Sequence, residues 1–178
     1  MLDKGALRLR MRAARRAFLA PSPVLVAPEF MAALRPGLVV ASYRPVGGEA
    51  DPAPLAQAAL DNGCRLALPH VVDRATPLRF LSWEAETALE AGPFGLEQPG
   101  GGAAEVAPGI ILTPLVAFDR AGGRLGQGAG HYDRAFAAHP DAWRVGVAWS
   151  VQEAASLPAD PWDVPLHAIA TEKEWITP

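Results

Sequence analysis

Cysteine is almost missing from this chain. Cys64 stands alone among 178 residues, which excludes an internal disulfide and a cysteine-rich zinc site. A single thiol of this kind reads as a small buried side chain. The lack of disulfides fits a cytoplasmic location. Long apolar runs are missing too, so no membrane span is expected. No apolar block follows the early charges, so no secretory leader is expected. The Arg-rich start LRLRMRAARRAF mimics a transit peptide but has no serine. An excess of positive charge is absent: the formal net charge is −3, which argues against a general nucleic-acid binder. It leaves room for a local basic patch. His70, His131, His139 and His167 show no metal-ligand spacing, and no Ser-His-Asp order or internal repeat is visible.

What is present is a hydrophobic half, enough for one domain with a full core. Periodicity predicts a first helix over 3–20, with Leu7, Met11, Ala14 and Phe18 on an apolar stripe. Lys4, Arg8, Arg12 and Arg16 recur every four residues as a basic stripe, and Asp3 suits the first turn. Helices are also expected over 28–35, 54–63 and 132–138, and a short one from VQEAAS at 151. Strands are expected over 38–43, 65–69, 78–83, 109–118, 143–149 and 167–172, with Pro114 at an end or an edge. Strands and helices alternate, so the expected fold is α/β. It is a single three-layer α/β/α domain over 1–178 with a mostly parallel, open sheet. Ligands bind such sheets at the carboxyl ends of the strands, where the loops 44–52, 119–131 and 150–153 should gather.

The stretch GGRLGQGAGHYDR (122–134) holds five glycines in thirteen residues, between a strand and a helix. It lacks the Gly-Lys-Ser/Thr ending of a Walker A loop and the spacing of a dinucleotide fingerprint. Bare backbone N–H groups at a helix start suit an anion, and Arg124 adds a fixed charge; the other reading is a plain flexible connection. Lys4 and Arg8, four apart, project from one side of the first helix and could clamp a polyphosphate or simply form a solvated basic face. Asp133 and Asp163, from different loops, would suit Mg²⁺, which takes few carboxylates beside phosphate oxygens. Each is otherwise a cap or turn residue. Glu49, among Pro45, Gly47 and Gly48, is an exposed loop acid or an acceptor for a polar ligand.

These residues resemble those of the 5-formyltetrahydrofolate cyclo-ligases, also called methenyltetrahydrofolate synthetases. The likeness starts with K-x-x-L-R at Lys4, Leu7 and Arg8 and continues through Glu49, Asp51 and the Leu-Pro at 68–69. Its strongest part, PLVAFDRAGGRLGQGAGHYDR, looks like P-x-x-A-F-D-x-x-G-x-R-L-G-x-G-x-G-x-Y-D. The tail VGVAWSVQ…LPADPWDVPLHAIATE also matches.

The resemblance implies conversion of 5-formyltetrahydrofolate to 5,10-methenyltetrahydrofolate with ATP and Mg²⁺, releasing ADP and phosphate. The formyl oxygen is phosphorylated first, and N10 then attacks. The implied ATP contacts are Lys4, Gly5, Ala6, Leu7 and Arg8, together with Arg124, Leu125, Gly126, Gln127, Gly128, Ala129, Gly130, His131 and Tyr132. Arg124, Gln127 and Tyr132 are the implied catalytic residues. Tyr43, Glu49, Gln127 and His131 would face the folate, monoglutamylated or polyglutamylated, and Asp133 and Asp163 would hold Mg²⁺. No nucleic-acid or membrane partner is expected, and the chain is expected to be a monomer or weak dimer.

The sequence also departs from the pattern. Gln127 stands where Arg is common and His131 where Tyr is common. His70 replaces an Arg, Trp162 a frequent His, and Gln98-Pro99 a Glu-Pro. The alternative is therefore a divergent member that binds ATP or folate without the reaction, or with another substrate. A dinucleotide-binding oxidoreductase is a more distant reading.

Overall fold

A computed structural model describes residues 3–178. Seven strands form one sheet: β1 (Val39–Ala41), β2 (Arg65–His70), β3 (Arg79–Trp83), β6 (Ile110–Pro114), β9 (Trp143–Val147), β10 (Ala168–Ala170) and β11 (Trp175–Ile176). Their order is β11-β10-β9-β6-β1-β2-β3. The five inner strands are parallel, while β3 and β11 run antiparallel at the two edges. This is the expected mostly parallel α/β sheet. The antiparallel edges follow from chemistry: no helix intervenes between β2 and β3, or between β10 and β11, so the chain must turn back.

The inner strands are buried on both faces and read as unbroken apolar runs. Val39, Ala41 and Ile111 face one side, with Phe118 and Phe136 in the same core. Val40, Ile110 and Leu112 face the other, against Phe30, Leu55 and Ala59. Helices α2 (Pro28–Ala33) and α3 (Ala53–Asp61) supply those last three side chains, and α4 (His131–Ala138) supplies Phe136 from the opposite side. Truncating a fully buried phenylalanine such as Phe30 in such a core costs roughly 3–5 kcal/mol. Cys64 is buried, its Sγ 3.3 Å from the carbonyl of Arg35.

Helix α1 (Lys4–Ala17) adds no side chain to those two clusters. Its Leu7 and Met11 join Val116, Ala117 and Leu125 in a third cluster. Asp3 is the N-cap rather than a first-turn residue: its carboxylate accepts from the N–H groups of Gly5 and Ala6 at 3.1 and 3.0 Å. The helix stops at Ala17, short of residue 20, ahead of Pro21 and Pro23. Among the described residues no helix is long and apolar enough to cross a membrane.

Some expected elements change. The strand expected over 109–118 is two. Pro114 has no N–H to donate and closes β6, and β7 (Ala117–Phe118) turns away to pair with β8 (Arg124–Leu125). The helix expected from residue 151 is only a single turn at Ser150–Gln152. There the Gln152 side chain accepts from Trp149 N–H and donates to the carbonyls of Leu115 and Val116. A second small hairpin, β4 (Glu90–Ala91) with β5 (Glu97–Gln98), lies between the strands expected over 78–83 and 109–118.

Candidate functional site

The break at Pro114 positions the site. The β7–β8 hairpin leads straight into the glycine loop, and α4 starts at its end. The loop, α1 and the carboxyl ends of β1, β2 and β6 enclose one cavity of about 610 Å³. Loops 44–52 and 119–131 gather there as expected, but 150–153 does not reach the wall.

Every residue from Arg124 to Asp133 lines the cavity. Gly128 and Gly130 sit at φ of 105° and 70°, where a side chain would be strained. Gly130 caps α4 with no side-chain acceptor, so the first N–H groups of α4 lie at the cavity's edge with no cap bond. From α1 come Lys4, Arg8, Arg12, Arg15 and Arg16. Gly5, Ala6 and Leu7 do not line the cavity: the first two are exposed and Leu7 is core. Arg8 Nε donates to the carbonyl of Gly126 at 2.9 Å, which ties the loop to the helix.

The wall carries eight Lys or Arg against five Asp or Glu. Half of the chain's 16 basic residues thus meet here, although its net charge is −3. Such a wall selects an anion. Three of the cations are already paired, Arg44 among them with its Nε 3.7 Å from Glu97. Arg124 lies buried under the loop, with Nη2 2.5 Å from Asp133 Oδ1 and the guanidinium 5.4 Å over the Phe136 ring. Lys4 Nζ donates to Asp160 and Asp163 at 2.7 and 2.9 Å. Burial works against the ammonium, but the two carboxylates outweigh it and raise its pKa. Burial likewise pushes Asp163 up, yet Lys4 and the Asp160 N–H win and hold its carboxyl below the usual range.

The other half of the cavity is more apolar. Tyr43 is buried and donates to the carbonyl of Ala50. Burial pushes the phenols of Tyr43 and Tyr132 up, so both stay protonated. Glu49 accepts from the Val46 N–H at 3.1 Å and from Gln127 at 3.4 Å. Burial raises its pKa against the pull of that N–H, Arg15 and Gln127. His131 is held neutral at pH 7, first by burial and then by Arg134. Its Nδ1 lies 3.2 Å from Arg134 Nη2, and a guanidinium only donates. Nε2 therefore carries the proton, and it is buried without a partner. That N–H is a donor free for a ligand.

Arg15, Arg44, Arg74, Phe94 and Asp160 line the wall without a motif to mark them, and Trp162, visible in the sequence only as a departure, joins them. Arg12 and Arg16 were visible on the basic stripe without a role. Arg15 is off that stripe, yet it is buried, donating to the carbonyls of Leu115 and Gly47 at 3.3 and 3.0 Å. Phe94 is exposed at φ 62°, a left-handed conformation rare for a bulky side chain, and the Arg74 guanidinium lies 6.0 Å from its ring. Strain of that kind clusters at ligand sites.

Comparison with known proteins gives the family. The model of the 5-formyltetrahydrofolate cyclo-ligase family matches residues 1–172. The chain is 35% identical over 144 residues to a 5-formyltetrahydrofolate cyclo-ligase of Escherichia coli (strain K12), covering 76% of this chain and 79% of that protein. It is similar at 35% over 153 residues to one from Mycolicibacterium smegmatis, covering 79% and 76%. A 5,10-methenyltetrahydrofolate synthetase of Aquifex aeolicus superposes with a TM-score of 0.66 at 31% identity, over 99% of this chain and 84% of that one. One from Mycoplasma pneumoniae, at 24% identity and a TM-score of 0.67, shares the fold. The chain belongs to the 5-formyltetrahydrofolate cyclo-ligase family, a family of ligases.

Proposed function

We propose that this protein converts 5-formyltetrahydrofolate to 5,10-methenyltetrahydrofolate with ATP, releasing ADP and phosphate. The observation that carries the reading is the cation-rich cavity built on the glycine loop of an acidic chain. A formamide oxygen is a poor leaving group. Transfer of the γ-phosphoryl group breaks its bond to ADP and makes a bond to the formyl oxygen. N10 then attacks the activated carbon and loses its proton, and the C–O bond breaks with departure of phosphate.

The residues supply positioning and charge, which is most of what phosphoryl transfer needs. Arg8 and the loop N–H groups would hold the ATP phosphates. Lys4 would join them by turning from its aspartates. Arg124, fixed by Asp133, would stabilise the charge that develops on transfer, with Gln127 and Tyr132 beside it. Tyr43, Glu49, Gln127 and the Nε2–H of His131 would contact the folate.

The donor set fits Mg²⁺. Asp133 and Asp163 line the cavity and Asp163 is held ionised. Among the described residues no group of three or more His, Cys, Asp or Glu forms a ready-made cage. That suits an ion that keeps waters and phosphate oxygens. Asp133 and Asp163 would hold it, and it would supply positive charge against the phosphates.

The test mixes protein, 5-formyltetrahydrofolate, ATP and Mg²⁺ and follows the absorbance of the methenyl product, with ATP omitted as control. ATP-dependent product is expected. No product would overturn the proposal. One observation favours a second reading, a binder without turnover: position 127 offers a neutral amide to the cavity. ATP binding by calorimetry in a protein that makes no product would favour that binder.

A further inference from the structure

Glu49 faces a defined set of groups. Val46 N–H comes from its own loop, the Arg15 guanidinium from α1, Gln127 from the glycine loop, and the phenols of Tyr43 and Tyr132 lie near. Gln127 itself is held from behind. Arg12 Nε and Nη2 converge on its Oε1 at 3.1 and 2.5 Å. A guanidinium has no acceptor, so the amide must turn its oxygen to Arg12 and its NH₂ to Glu49. Amide orientation is ambiguous for many side chains, but here a cation on one side and a carboxylate on the other decide it. A donor polarised by a cation is a stronger donor. Among the described residues Arg12 has no carboxylate partner, so its charge is directed into this chain of bonds.

We propose that Arg12 is a positioning residue that acts through Gln127 on Glu49, holding that carboxylate in place for the folate. The proposal rests on the function above. It makes position 127 a relay, with the cation supplied one helix away. A merely solvated Arg–Gln contact would not move Glu49.

The test follows the titration of Glu49 by carboxyl ¹³C NMR in the ligand-free protein, for wild type, Arg12→Gln, Gln127→Leu and the double variant. Loss of a cation or of its relay disfavours the carboxylate. Each single variant should therefore raise the Glu49 midpoint by about half to one pH unit, the weak end of a nearby-charge effect. The double variant should raise it no further than the larger single. In turnover, Arg12→Gln should raise KM for 5-formyltetrahydrofolate about five- to tenfold and leave KM for ATP unchanged. Arg12→Lys should recover part of the loss. In a Gln127→Arg background, removing Arg12 should cost less than twofold. An unmoved Glu49 midpoint, additive shifts, or a raised KM for ATP in place of the folate would overturn the relay. If the wild type turns over no 5-formyltetrahydrofolate, the proposed function fails, and the Glu49 titration alone decides the relay.

Discussion

Two groups of arginines in this molecule differ in what completes them. On the outer surface, Arg120 is held by Glu153 at 2.8 Å and by Glu174 at 2.5 Å, and the two carboxylates raise its pKa. Its donors are spent within the protein. On the cavity wall, Arg8, Arg12 and Arg15 bond only to carbonyls or an amide. Arg15 is mostly buried, and burial lowers its pKa. A desolvated cation with neutral partners is costly to keep. On the wall an anionic ligand would offset that cost; away from it, Arg144 bears a similar one, with the carbonyls of Pro140 and Pro165 and with His167 as its neutral partners. Arginines left without a carboxylate gather on the wall, though not there alone.

Four substitutions test this contrast, in descending order of effect. Arg124→Ala should cost the most, because it empties a buried position and leaves Asp133 without its cation. Stability should fall by about 3–5 kcal/mol, the usual loss on breaking a buried pair. Turnover should fall roughly 10²–10³-fold, as when a transition-state donor is removed. Denaturant unfolding and the methenyl assay measure both. Near-normal turnover would place Arg124 with the structural arginines.

Arg15→Met keeps bulk but loses two hydrogen bonds to carbonyls. It should cost about 1–3 kcal/mol, since the carbonyl of Gly47 is left without a donor and that of Leu115 keeps only Gln152. The 46–49 loop should loosen, so KM for the folate should rise more than KM for ATP. A variant as stable as wild type would show that this guanidinium is not held by its carbonyls.

Lys4→Met probes the mixed case, a wall cation that already has carboxylates. ATP affinity should drop about tenfold while the fold is kept. The pH dependence has a definite sign. The lowered folded pKa of Asp163 means its stabilisation exists above the unfolded value near ~3.9 and is lost as pH falls through the folded one. The raised pKa of Lys4 means its share exists below ~10.4 and is lost as pH rises through the folded value. The gap in Tm between wild type and Lys4→Met should therefore be present at pH 7 and shrink toward pH 3. A gap that persisted in acid would remove the ion pair as its cause.

Arg120→Ala should do least. The side chain is 55% exposed, and exposed pairs contribute ~0–1 kcal/mol. Turnover should match wild type. A large kinetic loss would abolish the distinction between the two groups.

Much of this was legible in the chain. Buried strands announce themselves as apolar runs, so β1, β2, β6, β9 and β10 were placed, with ends matched or off by up to four residues. The basic stripe of α1 and the glycine loop follow from spacing alone, and both line the cavity. The edge strand β11 was not legible, because a two-residue strand has no pattern. Nor was Phe94 on the cavity wall, because a strained backbone leaves no motif in the sequence.

The sequence by itself determined the mostly parallel α/β sheet, the glycine loop and the helical cations, because local periodicity and glycine content act over a few residues. Only the tertiary structure decided which cations are spent and which are open. Lys4 meets Asp160 and Asp163, over 150 residues away, and Arg12 meets Gln127 across 115. Those pairings depend on how far the chain turns after Pro114 and where α1 docks. A charge's partner is set by distance in space, and no spacing along the chain encodes it.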